Sequence, residues 1–342
     1  MELIVKQIEL KEVWEQFMAE IKPNSFLHAW NWGEFQAAMG NQTCRLAVWQ
    51  GQELMALAFF YKITARRGVF WLCPHGPIFK PDIDKQAAMR VLLDFLRSEV
   101  IKNQRCDFIR VCPLLELSPD NENIFKTLGF KPSPLYTHPE LSWILRLDKD
   151  SEKLLQEARK STRYSIKKAG QDGVTVEQSS DIADLEKFWQ IYQSTSHRQK
   201  FAPFSQNYLI KELTIFQKDN QCLLFFGRYQ DKIISAAFIV FSQHSAFYHH
   251  GASLPEFAKI PAAHLVLWQA IGEAKKRGCE FFNFWGISPD NQPDHPWFGL
   301  SFFKKGFGGF SEQYLASQDL ILSWRYWFNF AIEKWRKKKR GM

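Results

Sequence analysis

None of the six cysteines in this sequence forms a CxxC pair. That removes zinc-ribbon and thioredoxin-type chemistry and leaves reduced, buried thiols as the expectation. No apolar run reaches the ~18 residues of a membrane-spanning helix. The opening MELIVKQIELKEVWEQF also lacks the apolar stretch of a signal peptide. A cytoplasmic protein is expected, at most peripheral at the inner face of the plasma membrane. A Walker A loop, HExxH, GxSxG and an EF-hand loop are missing too, so the commonest nucleotide, zincin, serine-hydrolase and calcium signatures are excluded. Adjacent His249 and His250 do not fill the gap, because neighbours on a regular strand point to opposite faces. No metal site is expected.

What the chain does contain is rings and positive charge. It has 31 Phe and 13 Trp, more than a core alone requires, and a formal net charge of +8, which favours anionic partners. At 342 residues two domains are expected, and an internal repeat supports them. RLAVWQGQELMALAFFYK (45–62) and GRYQDKIISAAFIVF (227–241) both read as strand, turn, strand. Each precedes an aromatic strand, 68–79 and 245–254. Helical periodicity follows in 85–101 (Met89, Leu92, Leu93, Leu96, Val100) and in 261–277 (Leu267, Ala270, Ile271, Ala274). Strand starts at Cys106-Asp107-Phe108 and Cys279-Glu280-Phe281 complete each copy, and all offsets lie between 173 and 180 residues.

The expected class is α/β (α+β), with two β-β-β-α-β units on mixed, largely antiparallel sheets and a ligand cleft between them. The first domain is expected over 1–147, completed by a C-terminal helix at 319–342, and the second over 148–318. A Pro-rich connector covers roughly 131–150.

Two basic features stand out. A helix expected over 151–169 stacks Arg159, Arg163 and Lys167 at i, i+4 and i+8 with Lys160 alongside, a ridge suited to RNA phosphates. In the tail, Trp324, Trp327, Phe328, Ala331, Ile332 and Trp335 share one helical face. Arg336, Lys337, Lys338, Lys339 and Arg340 follow without an acid, which is the pattern of a helix at an anionic membrane surface. A terminal helix docked on the first domain, with a solvated basic tail, reads equally well.

The second half carries longer motifs. They are Tyr248-His249-His250-Gly251-Ala252-Ser253, Ala274-Lys275-Lys276-Arg277-Gly278-Cys279, Phe284-Trp285-Gly286-Ile287, His295-Pro296-Trp297-Phe298-Gly299-Leu300 and Phe303-Lys304-Lys305-Gly306-Phe307-Gly308-Gly309. With His28 to Phe35, Pro74-His75-Gly76-Pro77 and 159–174, they resemble the FemABX family of non-ribosomal peptidyltransferases over nearly the whole chain. The short length without a coiled-coil arm resembles the short-form members.

The resemblance implies two tandem acetyltransferase-like (GNAT-like) domains. It also implies transfer of an amino acid from aminoacyl-tRNA to the stem-peptide amine of a peptidoglycan precursor, either lipid II or its UDP-linked form. Lys304 would neutralise the carbonyl oxyanion in a site dried by Phe302, Phe303 and Phe307, and the glycines would admit the tRNA terminus. Arg198 would bind precursor phosphate. Ser196, Trp32, Gln36, Tyr248, His250, Trp285 and Lys305 would make further substrate contacts. Gln36, Cys112 and His250 depart from the family pattern, since other members carry lysine, aspartate and tyrosine there.

No cofactor is expected beyond the charged tRNA. The segment ASLPEFAKIPAAH lacks the Gly-rich loop that binds CoA phosphates. A monomer is expected. Two other readings stay open, a related aminoacyl-tRNA transferase acting on lipid headgroups or protein N-termini and a catalytically silent tRNA- or precursor-binding protein.

Overall fold

Strands rich in Val, Ile, Leu and Phe build two sheets in this chain. The computed structural model describes residues 2–66, 68–135, 137–199 and 201–339. The first stretch contains β1 (Leu3–Gln7), α1 (Lys11–Glu20), α2 (Trp30–Ala38), β2 (Thr43–Gln50), β3 (Glu53–Ala65), β4 (Gly68–Cys73), β5 (Ile78–Phe79), α3 (Lys85–Phe95), β6 (Phe108–Val111), α4 (Pro119–Thr127) and β7 (Lys131–Pro132). Next come β8 (Leu141–Arg146), α5 (Ser151–Glu157), α6 (Lys160–Gln171), β9 (Thr175–Ser179), α7 (Leu185–Gln199) and α8 (Gln206–Gln217). They lead to β10 (Cys222–Tyr229), β11 (Lys232–Ser242), β12 (Ser245–Ser253), α9 (Ala262–Lys276), β13 (Phe281–Gly286), α10 (Phe298–Lys305) and β14 (Phe310–Gln313). The chain closes with β15 (Gln318–Ile321) and α11 (Tyr326–Lys339).

Two units result. Unit 1 comprises Met1–Leu141, Ser288–Pro296 and Gln313–Met342, and unit 2 comprises Ser142–Ile287 and Trp297–Glu312. The sheet of unit 1 runs β1-β2-β3-β4-β6-β15-β7 with β5 on β3, and that of unit 2 runs β14-β8-β13-β12-β11-β10-β9. Both are mixed and largely antiparallel, as expected from the repeat. Among the pairings described, β4 with β6 and β12 with β13 are parallel. Each joins the third strand of a repeat to the strand after its helix, a connection that a crossover helix makes possible.

The helices follow their apolar stripes. Asp84 caps α3 by accepting from the Ala87 N–H, and Ala88, Met89, Leu92 and Leu93 are buried beneath it. On α9 the buried set is Val266, Leu267, Ala270, Ile271 and Ala274. Gly278, at φ +74°, ends that helix in the left-handed conformation. Each fully buried Leu, Ile or Phe of these stripes contributes roughly 1.5–3 kcal/mol.

Two expectations need correction. The single helix over 151–169 is two helices, because Ala158 and Arg159 are extended. Arg159 N–H donates to the Gly306 carbonyl, and the Arg163 guanidinium caps the carbonyls of Gln156 and Ala158 that the break frees. The connector is also no simple linker. Its residues supply β7 to one sheet and β8 to the other, and the unit boundary lies at Leu141/Ser142 instead of 147/148.

In unit 1 the first-half motifs meet around His28. Its Nδ1–H donates to the Pro74 carbonyl at 3.0 Å, while Nε2 accepts the Phe59 N–H at 3.1 Å. Burial lowers its pKa to about 4, against the raising effect of the backbone bonds, so the ring is neutral. A Cβ on Gly76 would lie 2.2 Å from that ring, which is why the Pro-His-Gly-Pro stretch needs glycine.

Candidate active site

In unit 2, β13 ends at Trp285-Gly286. Trp285 has φ +70°, a strained conformation for a bulky side chain, and its N–H is held by Asn283 Oδ1 at 2.8 Å. The Gly286 carbonyl receives the ammonium of Lys304, from α10, at 2.6 Å. Lys304 is buried, and among the described residues no carboxylate pairs with it. Burial alone lowers its pKa to about 7, so near neutral pH its amine is poised between charged and neutral. Such a lysine suits proton transfer and stabilisation of developing negative charge.

Its neighbours divide. Half-buried Phe303 packs on His264 and Phe307 with centroids 4.9 and 5.4 Å apart. The Lys305 ammonium lies 5.4 Å from the Trp143 ring. Phe302 is 55% exposed and carries the Arg159 guanidinium over its face at 3.8 Å, so it does not help to dry the site.

The glycines that follow do structural work. A Cβ on Gly306 would lie 2.3 Å from Thr162 Oγ1, and one on Gly309 would lie 2.3 Å from the Ile144 carbonyl. Gly308 has φ +85° and accepts the Trp143 indole N–H at 2.7 Å. They let the turn after α10 press onto α6 and β8.

Arg198 and Phe303 line one cavity of about 570 Å³, together with Ser165, Ser235, Ser253, His264 and apolar residues between 254 and 263. Thr195 anchors α7 there, its Oγ1 accepting the Ser253 N–H at 2.8 Å. One turn on, Arg198 is exposed and donates to Ser253 Oγ at 2.9 Å. Among the described residues it faces no carboxylate, so most of its donors remain for an anion. Ser196 is buried and bonded to the Gln193 carbonyl at 2.8 Å, turned into its own helix. Lys304 is not part of the cavity wall, since its amine points to Gly286.

The Tyr248-His249-His250 run corrects the expectation that the two imidazoles diverge. The pairing of β11 with β12 slips between Phe238 and Ile239, leaving His249 as an extra residue in a bulge. Both imidazoles then face Glu212 of α8. His249 Nε2 lies 2.8 Å from Oε1, and His250 Nε2 lies 3.6 Å from Oε2. Burial would raise the Glu212 pKa, but the two imidazoles prevail and hold it at about 2. Burial and the His249 charge lower His250 to about 4. Sequence reasoning missed Glu212. The signal was available, because the residue interrupts an apolar stripe of Leu209, Leu213 and Phe216. Tyr248 is pushed up to about 12 by burial. Its hydroxyl lies 1.8 Å from where a Cβ on Gly251 would stand.

Trp32 and Gln36 belong to α2 of unit 1. Both are buried, Trp32 against Phe26 and Phe35 and Gln36 accepting from the Asn41 amide at 2.8 Å. Of the expected RNA ridge, Lys160 and Lys167 are exposed, while Arg159 and Arg163 are engaged as described above. On α11 Tyr326, Asn329 and Glu333 are buried, and Trp327, Phe328 and Trp335 are exposed, as is Trp324 just before the helix. Arg340 lies outside the described residues. No described helix is long and apolar enough to cross a membrane.

Paired β-β-β-α-β units of this kind define a tandem acetyltransferase-like protein. The chain belongs to the FemAB family, whose model matches residues 10–228 and 225–334. It is similar to the lipid II:glycine glycyltransferase of Staphylococcus aureus, with 22% identity over 377 residues covering 88% of this chain and 89% of that protein. The crystal structure of FemX superposes with a TM-score of 0.84 at 20% identity, covering 97% of this chain and 100% of that one. A tandem GNAT protein from the clavulanic acid biosynthesis pathway shares the fold at TM-score 0.60 and 11% identity, covering 94% and 98%. The chain is an aminoacyltransferase.

Proposed function

We propose that this protein transfers an amino acid from aminoacyl-tRNA to the stem-peptide amine of a lipid-linked peptidoglycan precursor. The carrying observation is Lys304, a buried amine at a pKa of about 7 with one neutral partner, next in sequence to Phe303 on the wall of the Arg198 cavity. The acceptor nitrogen attacks the ester carbonyl, a C–N bond forms, the C–O bond to the tRNA ribose breaks, and the amine proton passes to the ribose oxygen. A free acceptor amine near pKa ~10.4 costs roughly 4–5 kcal/mol at neutral pH, so a group able to take up and return that proton matters. Lys304 performs this, or holds the oxyanion when charged, by exchanging the Gly286 carbonyl for the reacting atoms. Arg198 binds the precursor's phosphates in a bidentate manner.

Exposed Lys160 and Lys167 support an RNA co-substrate. The lipid-linked form of the acceptor is supported by α11, which presents aromatics and then Arg336, Lys337, Lys338 and Lys339. The purified protein is to be incubated with mixed charged tRNAs and either lipid-linked or nucleotide-linked precursor, and the products read by mass spectrometry. Precursor heavier by one amino-acid residue, formed faster on the lipid-linked form, is expected. No product on either precursor, or aminoacylation of a phospholipid headgroup instead, overturns the reading.

A further inference from the structure

Glu212, His249 and His250 are not used by the transfer chemistry. Glu212 is fully buried, and among the described residues the titratable groups paired with it are the two imidazoles. Among the described residues no lysine or arginine pairs with it, so the buried carboxylate leans on imidazoles alone, and a buried carboxylate short of positive charge costs several kcal/mol.

The longer contact is the informative one. Glu212 Oε2 and His250 Nε2 are both sealed from solvent, and neither has a hydrogen-bond partner. Yet they face each other at 3.6 Å. That is too long for a hydrogen bond, and close to the ~3.3 Å that separates two ligands of a tetrahedral ion with bonds of about 2.0–2.1 Å. One ligand atom from each of the three residues lies within 4.8 Å of the others. The bulge at His249 is what makes this possible, since a regular β12 would send one imidazole to the other face.

We propose that Glu212, His249 and His250 hold one divalent transition-metal ion of the zinc class, through a carboxylate oxygen and two imidazole nitrogens. The donor set selects the ion, because imidazole suits zinc, iron, nickel and copper, while magnesium and calcium prefer oxygen-only cages. The ion supplies a fixed positive charge where otherwise only an imidazole proton could, and ties α8 to the bulge of β12. Three protein ligands leave one tetrahedral position for a non-protein ligand. Buried Tyr192 and Phe238 lie against His250 with centroids 5.5 and 5.8 Å away, giving the site a dry wall. The proposal stands independently of the transfer reaction.

The test uses the full-length protein, stripped with chelator and then dialysed against zinc and, separately, cobalt(II). One equivalent of metal per chain is expected, and the cobalt form should absorb in the visible as a four- or five-coordinate site without a thiolate charge-transfer band. Glu212→Gln and His250→Gln should each weaken binding by at least about tenfold, no less than the loss seen for second-shell changes. Melting temperature should rise with zinc in wild type and not in the variants. If a variant does not fold, the wild-type stoichiometry and cobalt spectrum still decide. No retained metal overturns the proposal and assigns the charge to a shared proton. A thiolate band also overturns it, by placing the ion on cysteines.

Discussion

Burial takes the Lys304 amine from an ordinary 10.5 to about 7. Between those values the unfolded chain binds more protons at this site than the folded one. The stability contributed here therefore rises with pH across that window, and the full cost of a buried ammonium is felt below pH 7. Lys304→Met should melt above wild type near pH 6, with an advantage that shrinks as pH climbs towards 10, and its turnover should fall by ~100-fold. A melting difference that ignores pH would show that burial is not what perturbs the lysine. Arg198 makes the opposite case, exposed and without a carboxylate. Arg198→Ala should raise the KM for precursor by about tenfold or more with little change in the KM for tRNA, and Arg198→Lys should recover only part, because the fork is lost. Equal loss for both substrates counts against a phosphate clamp. Lys304 draws notice in the sequence because it sits in a long, ordered motif, and Arg198 only through the resemblance of its short Ser-Thr-Ser-His-Arg stretch. Glu212 was not legible, because its meaning depends on a bulge 37 residues away.

At the scale of elements, α11 shows how one helix serves two environments. The sequence stripe of Trp324, Trp327, Phe328 and Trp335 suits either a docked face or a membrane-facing one, and these residues are 48–68% exposed. The buried face instead carries Tyr326, Asn329 and Glu333. Hydrophobic periodicity identifies the helix but leaves open which way its stripe faces, and a buried ion pair decides the rotation. If the aromatic face meets lipid, replacing Trp327, Phe328 and Trp335 together by serine should abolish co-sedimentation with anionic vesicles at low salt. The melting temperature should hardly move, because exposed side chains contribute little to folding. Unchanged sedimentation would show that the face is merely solvated. The division of 151–169 into α5 and α6 is another local decision that apolar spacing does not reveal. The carbonyl of Gly306, far along the chain, takes the N–H that a continuous helix would have used.

At the scale of the molecule, unit 1 is closed by the chain's last segment. Arg110 of β6 donates to both oxygens of Asp319 at 2.7 and 2.8 Å and to Glu333 Oε2 at 2.8 Å, while the Tyr326 hydroxyl donates to Asp319 at 3.0 Å. All four groups are buried, and they fasten β15 and α11 to a strand more than two hundred residues earlier. Burial opposes the Arg110 charge, but the two carboxylates raise its pKa. Arg110→Met would leave two buried carboxylates uncompensated and should cost ~3–5 kcal/mol. Urea denaturation is the measurement, and a loss under ~1 kcal/mol would mean that the carboxylates protonate or reach water.

By itself the sequence determined what is periodic and local. The doubled β-β-β-α-β unit, the mixed sheets and the capped helices all follow from spacing, residue type or contiguous motifs. Each of these signals sits within one element or one turn. Tertiary structure alone decided what depends on two distant segments meeting. The bulge that turns both His249 and His250 toward Glu212, the outward rotation of α11 and the burial that brings Lys304 to about 7 are of this kind. Desolvation and register are properties of an assembled interior, and no window of the sequence contains both partners.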